Sequence, residues 1–284
     1  MKKNFNLPDI EIIKEKEPRG IFCWLYENAD KSICCFGANH ERGMTPQMRK
    51  IIEVCREYKP DCIVVESYKQ KIKDKDFSGF SNKVDDNFEG SESILGINLG
   101  LQNNIAVCSC EPTDTEELKE MMREYTPDEL LAFYSLRGAG IVTTDLSKKN
   151  DRSTSSHNSF YESYKNTLET LIPGYSPTLE NILNLYKQWF GKEIHELTAL
   201  ERSRYVWPCT HELIWQRSND ISRSSNIVRN NFILNSLLAL SGTHKRIFII
   251  YGKSHLPIWD DVLKHHFRMS EHKIVFEEEN KNLT

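Results

Sequence analysis

The feature that most constrains this chain is the repeated pairing of a short apolar run, rich in β-branched residues, with a longer stretch whose apolar residues recur at helical spacing. Asp-Cys-Ile-Val-Val at 61–65 is the clearest of the runs. It is too short for a helix and offers no polar face, so it reads as a strand buried on both sides, the condition of a parallel sheet. A parallel neighbour is reached only through a crossover, and the sequence supplies helices where crossovers are needed. Thr45-Pro46 places an N-cap and a first-turn proline ahead of the stripe Met48, Ile51, Ile52, Val54 and Cys55, which Lys59-Pro60 closes. Residues 105–110 read as a second buried strand, 91–102 and 113–125 as helices, and 246–251, 259–266 and 273–276 as strand, helix and strand. Two further strands, 21–26 and 32–36, are joined by the hairpin turn Glu27-Asn28-Ala29-Asp30-Lys31. The pattern predicts an α/β fold with a mixed, mainly parallel central sheet and flanking helices.

With 284 residues and 39% hydrophobic content the chain has enough apolar surface for one sizeable core, and a single α/β domain spanning 1–284 is the simplest reading. Its middle departs from the βα rhythm. Pro127 opens a helix over 128–136, and 145–158 (DLSKKNDRSTSSHN) is a polar linker without periodicity. Thr178 to Phe190 then carries Ile182, Leu183, Leu185, Tyr186 and Trp189 on one side. Residues 160–217 are therefore predicted to be a helical insertion, a lid over the site whose Tyr161, Tyr164, Tyr175, Trp189 and Tyr205 line a wall for ligand. The polar stretch 69–90 reads as a loop, and a long helix is expected over 221–241.

Several function classes lose support. The 37 basic and 41 acidic residues nearly balance at a net −4 and are scattered, so nucleic acid is not an expected partner. No apolar run approaches the roughly 20 residues a membrane helix needs, and the basic opening is followed by no apolar segment, which predicts no membrane partner and a soluble, cytoplasmic chain. The eight cysteines form no regular framework, and Cys34, Cys35, Cys62, Cys108 and Cys110 fall in strand-like runs where cysteine acts as a small hydrophobe. Walker A, G-x-G-x-x-G, G-x-S-x-G and H-E-x-x-H motifs are missing.

What remains is a set of polar residues at strand ends. Gly37-Ala38-Asn39-His40 and Gly252-Lys253-Ser254-His255 each follow a strand, with a glycine that permits a sharp turn or a close approach of the backbone to a ligand. Glu66 closes 61–65 and Glu111 closes 105–110. In open α/β sheets the ligand crevice lies outside the carboxyl ends of the strands, so two imidazoles and two carboxylates are expected on one rim. That set suits a divalent metal with room for water, and equally suits general acid and base work without one. Helix geometry adds Arg229 and Asn230 on the shoulders of the buried arc centred on Ile233, with Asn231 and Asn235 on the solvated side. Arg229 would hold a substrate carboxylate or developing negative charge, and Asn230 would touch substrate.

The ordered series FGANH (36–40), VVE (64–66), CEPTDTEEL (110–118), VRNNFILNSL (228–237) and IIYGKSHL (249–256) resembles the TraB/GumN proteins, also called the TraB/PrgY and Tiki group, of the erythromycin-esterase/ChaN-like superfamily. The resemblance spans about residues 32–276 and implies His40, Glu66, Glu111, Arg229 and His255 as site residues, in a group linked to metal-dependent proteolysis and, more distantly, to ester hydrolysis. Val228, Lys253-Ser254 and Pro257 depart from the family pattern. The expectation is a metal-dependent, peptidase-like hydrolase acting on a peptide or small molecule. His40, Glu66, Glu111 and His255 would hold a divalent ion such as Mn, Zn or Co, and Arg229 would act as electrophilic clamp. The departures motivate an alternative, a catalytically silent ligand- or peptide-binding module using the same cleft.

Overall fold

The computed structural model describes residues 4–8, 20–81, 83–143, 152–208, 216–266 and 270–276. The chain divides into two compact units, Met1–Glu111 with Asn230–Thr284, and Pro112–Arg229.

The first unit is built on the sheet. β1 (Ile21–Glu27) and β2 (Ser32–Ala38) form the expected hairpin. Asn28 donates its N–H to the Lys31 carbonyl at 3.0 Å, and its Oδ1 accepts from the N–H groups of Asp30 and Lys31 at 3.0 Å, an arrangement only a short polar side chain can make. α1 (Pro46–Tyr58) starts at the Thr45 cap and stops at Lys59, which takes the left-handed conformation with φ 51°. β3 (Cys62–Val65) is buried at all four positions. Within the stretch expected to be loop, Lys69–Lys73 forms a short helix, α2. α3 (Glu92–Asn103) and β4 (Ala106–Cys108) follow. After the second unit come β5 (Arg246–Gly252), α10 (Leu256–His266) and β6 (Ser270–Phe276).

Strand order is β4-β3-β5-β2-β1-β6. The β4, β3, β5 and β2 neighbours pair in parallel, while β1 runs antiparallel to both β2 and β6. The mixed, mainly parallel sheet is therefore present. Strand alternation sends Phe22, Trp24, Tyr26, Cys62, Val64, Ile247 and Ile249 into one apolar layer, completed by Ile233, Leu234, Leu237 and α10. Cys34, Phe36, Ile63, Val65, Phe248 and Ile250 face the other, covered by α1 and α3. α3 lies very close on the strands. A Cβ added at Gly96 would stand 2.5 Å from Val65 Cγ1 and 3.0 Å from Ile250 Cδ1.

The second unit is helical: α4 (Asp114–Met121), α5 (Pro127–Thr143), α6 (Arg152–Leu171), α7 (Leu179–Phe190), α8 (Ala199–Tyr205) and the first half of α9 (Arg217–Leu240). Thr113 and Glu116 close a full capping box on α4. Two expectations change here. Of the linker expected at 145–158, residues 145–151 lie outside the described residues, and from Arg152 the chain is helical. The aromatics proposed as a ligand wall instead build the core of this unit. Tyr161 and Tyr205 are buried, Tyr205 stacks on Phe190 at 4.3 Å and Tyr164 on Tyr134 at 4.8 Å. Large flat rings at helical spacing bury more area against neighbouring helices than they would at an open cleft. Among the described residues no helix is long and apolar enough to cross a membrane.

Gly96→Ala is expected to lower the denaturant midpoint. Overpacking against the stiff Val65 side chain costs about 1–3 kcal/mol, which exceeds the gain in helix propensity of about 1 kcal/mol. An unchanged midpoint in urea would show that the helix can lift without cost.

Candidate functional site

At the carboxyl edge of the sheet β5 lies between β2 and β3, with Ala38 opposite Gly252 and Val65 opposite Ile250. His40, Glu66 and His255 each follow one of these strand ends and converge. The sequence signals for these three residues were the strand-end positions themselves.

His40 turns the chain with a left-handed backbone, φ 54°, and its side chain is 61% exposed. Ser67 and Tyr68, just past Glu66, are also left-handed, at φ 72° and 57°. Such conformations are unfavourable for residues with a Cβ and gather where a site constrains the backbone. The glycine of each Gly-x-x-His motif therefore does not make the turn. It makes space: a Cβ at Gly37 would meet the Phe22 ring at 2.6 Å, and one at Gly252 would stand 2.7 Å from His40 Nε2 and 3.4 Å from Glu66 Oε2.

Both imidazoles are held by Nδ1. His40 Nδ1 lies 2.5 Å from Oε1 of Glu92, a residue only 3% exposed in the first turn of α3, where the helix dipole favours a negative charge. Among the described residues the other Glu92 oxygen, also buried, meets no hydrogen-bond donor. His255, 6% exposed, places Nδ1 2.9 Å from Asn230 Oδ1, and the same oxygen accepts from Trp259 Nε1 at 2.6 Å. An indole nitrogen only donates, so the Asn230 atom must be its oxygen and His255 must carry its proton on Nδ1. The Glu92 carboxylate imposes the same tautomer on His40. Each Nε2 is then left to face Glu66, that of His40 at 3.9 Å from Oε2 and that of His255 at 3.8 Å from Oε1. Both separations exceed a direct hydrogen bond. Glu66 Oε2 also accepts the Gly252 N–H at 2.9 Å.

Glu111 is buried on the same unit, three residues past Cys108, which stands opposite Val64. Burial pushes the neighbouring Cys110 thiol up, and the charges of Cys108 and Glu111 act in the same direction against that of Lys69. Arg229 belongs to the helical unit and is half-buried on α9, one residue before Asn230. Asn230 is fully buried. Asn231 and Asn235, expected to be solvated, are half-buried: Asn231 Oδ1 accepts the Phe5 N–H at 2.7 Å and Asn235 Nδ2 donates to the Asn231 carbonyl at 2.7 Å. The leader segment supplies a partner that helix geometry alone does not reveal. Sequence reasoning missed Glu92 and Trp259. Glu92 reads as an ordinary acidic residue at a helix start, and only its burial distinguishes it.

Among the described residues no three His, Cys, Asp or Glu side chains form a ready metal-holding group. The donor types nevertheless fit a divalent ion: two imidazoles with fixed Nδ1–H, Nε2 lone pairs turned to one carboxylate, and a backbone kept clear of a Cβ beside them. No protein-family model, curated protein or solved structure matches the chain.

Both histidines are expected as the Nδ1–H tautomer when neutral, read by long-range proton–nitrogen NMR. In Glu92→Ala, His40 should lose this preference while His255 keeps it. A wild-type His255 protonated on Nε2 alone would contradict the arrangement around Asn230.

Proposed function

We propose that this chain is a metal-dependent hydrolase, closest to a peptidase in the bond it cuts. The observation that carries the reading is the pair of Nδ1-anchored imidazoles whose Nε2 atoms face opposite oxygens of Glu66. Two imidazole nitrogens turned to one carboxylate are a donor set of the kind that binds divalent transition metals. Histidines that bind metal characteristically donate the remaining ring N–H to a carboxylate or carbonyl, as both do here. The resemblance to the TraB/GumN proteins supports the same class.

In this reading His40, His255 and Glu66 hold the ion, Mn, Zn or Co, with Glu111 as a further ligand or proton carrier. When bound, such an ion polarises a carbonyl and lowers the pKa of water from 15.7 to roughly 7, which supplies a nucleophile at neutral pH. His40, on the solvent side, is the imidazole a substrate meets, and His255 is the fixed one. Asn230 takes a positioning part, since its oxygen is committed to His255 and Trp259. Arg229 acts as the clamp for a substrate carboxylate or for developing negative charge. The substrate is a peptide or a small ester, and the setting is the cytoplasm.

The test combines metal content with turnover. Purified protein should take up metal, His40→Ala and His255→Ala should lose it, and Glu92→Ala should bind it about 10- to 100-fold more weakly. Glu66→Gln should lower turnover of peptide or ester substrates by a factor of about 100 or more. If both histidine variants keep the wild-type metal load, the metal reading fails. Metal uptake without turnover of any peptide or ester in Mn, Zn and Co would favour the silent binding module.

A further inference from the structure

Gln47 is a buried polar residue that the hydrolase reading does not use. It stands second in α1, behind the Thr45 cap and Pro46, and is 1% exposed. The buried residues that follow it on the helix, Met48 and Ile51, are apolar and belong to the layer shared with α3. Gln47 instead reaches back along the chain, and its Oε1 accepts the Asn39 N–H at 2.9 Å. A backbone N–H only donates, so the amide must present its oxygen there and turn Nε2 away. Among the described residues that Nε2 is buried and meets no acceptor. A stranded interior donor is unfavourable, and the contact that offsets it is the one to Asn39.

That contact falls where the sheet lets go of the chain. The pairing of β2 with β5 ends at Ala38 opposite Gly252, so the Asn39 N–H lies just past the ladder. His40 comes next, with a left-handed backbone that persists only where its surroundings hold it. On the far side of the turn the Gly43 N–H donates to the Gly90 carbonyl at 3.1 Å, and Arg42 forms a bridge with Ser91. Those two contacts tie the chain after His40 to the segment that enters α3, whose Glu92 holds the ring. The chain before His40 is tied to α1, through Gln47.

We propose that Gln47 is a positioning residue for His40. By taking the Asn39 N–H it fixes the left-handed turn, and with it the direction in which the imidazole presents Nε2 to Glu66. The Glu92 contact alone tethers the ring at Nδ1 and leaves it free to swing about that point. A backbone fixed on the other side of the ring removes the swing. The effect on metal affinity rests on the hydrolase reading, whereas the geometry of the ring does not. His255 has no share in this device, since its anchor is Asn230.

The experiment compares full-length wild type, Gln47→Met and Gln47→Glu. Gln47→Met keeps the length of the side chain but removes both the acceptor and the stranded donor. Asn39 is exposed, so water can take its N–H, and a glutamine with a merely structural role predicts no change at His40. Gln47→Glu keeps an oxygen for Asn39, and a carboxylate is favoured in the first turn of this helix, which has no acidic residue there. In metal-free Gln47→Met the Asn39 amide should exchange with solvent about 3- to 10-fold faster, the worth of one hydrogen bond. Long-range proton–nitrogen NMR should show His40 losing its single Nδ1–H form while His255 keeps its own, which verifies the fold. Titrated with zinc alone, Gln47→Met should bind about 10-fold more weakly. Gln47→Glu should restore both the ring signature and the affinity. An unchanged His40 ring in Gln47→Met, or a ring that Gln47→Glu does not restore, would overturn the proposal. Absence of zinc binding in the wild type would sink the hydrolase reading, and the metal-free ring measurements would still decide the part played by Gln47.

Discussion

Parallel pairing on both sides of β5 is the constraint from which the site follows. β2 and β3 run in the same direction as β5, so the chain leaves all three strands at one edge and delivers His40, Glu66 and His255 there. Reversing β2 would move His40 to the opposite edge, about 20 Å away for a strand of this length. β1 shows the contrast. It is antiparallel to its neighbours and contributes none of the site side chains, serving instead to extend the buried face with Phe22, Trp24 and Tyr26.

The two histidines are then fixed from opposite sides of the sheet. Asn230 begins the part of α9 whose Ile233, Leu234 and Leu237 pack on one face, while Glu92 begins the helix whose Leu95, Ile97 and Leu99 pack on the other. Each apolar layer therefore sets the position of one polar anchor. The close seating of α3 at Gly96 ties Glu92 to the strands on which Glu66 and His255 depend. The two rings also differ in surroundings, since His255 lies against Tyr251 and Trp259 and His40 is open to solvent. A single carboxylate thus stands between a rigid, shielded imidazole and an accessible one.

The sheet was legible because its strands are short, apolar and bounded by strong stop signals, as at Lys59-Pro60 and in the Asn28 turn. His40, Glu66 and His255 were legible because a polar residue directly after a buried run has few reasons to be there. Of their anchors, Asn230 was legible as a residue on the shoulder of the buried helix arc, though as a substrate contact and not as the partner of His255. Glu92 was not legible: it is a hydrophilic residue at a helix start, and only tertiary packing decides that it is 3% exposed rather than solvated. The same limit applies to 152–158, whose serine, threonine and asparagine content favours turns locally, yet whose backbone is helical. Tyr164 and Tyr205 mark the reverse case, since aromatic residues suited to a ligand wall are equally suited to a core.

The left-handed backbones at His40, Ser67 and Tyr68 carry an evolutionary consequence. At each of these positions a glycine would relax the local chain, and at His40 it would also delete the imidazole. Under the proposed function, selection for a more stable fold and selection for the chemistry of the rim would therefore pull in opposite directions at residue 40. A search for thermostable variants that ignores function would drift toward glycine or asparagine at this turn, while one that demands function would have to find its stability elsewhere.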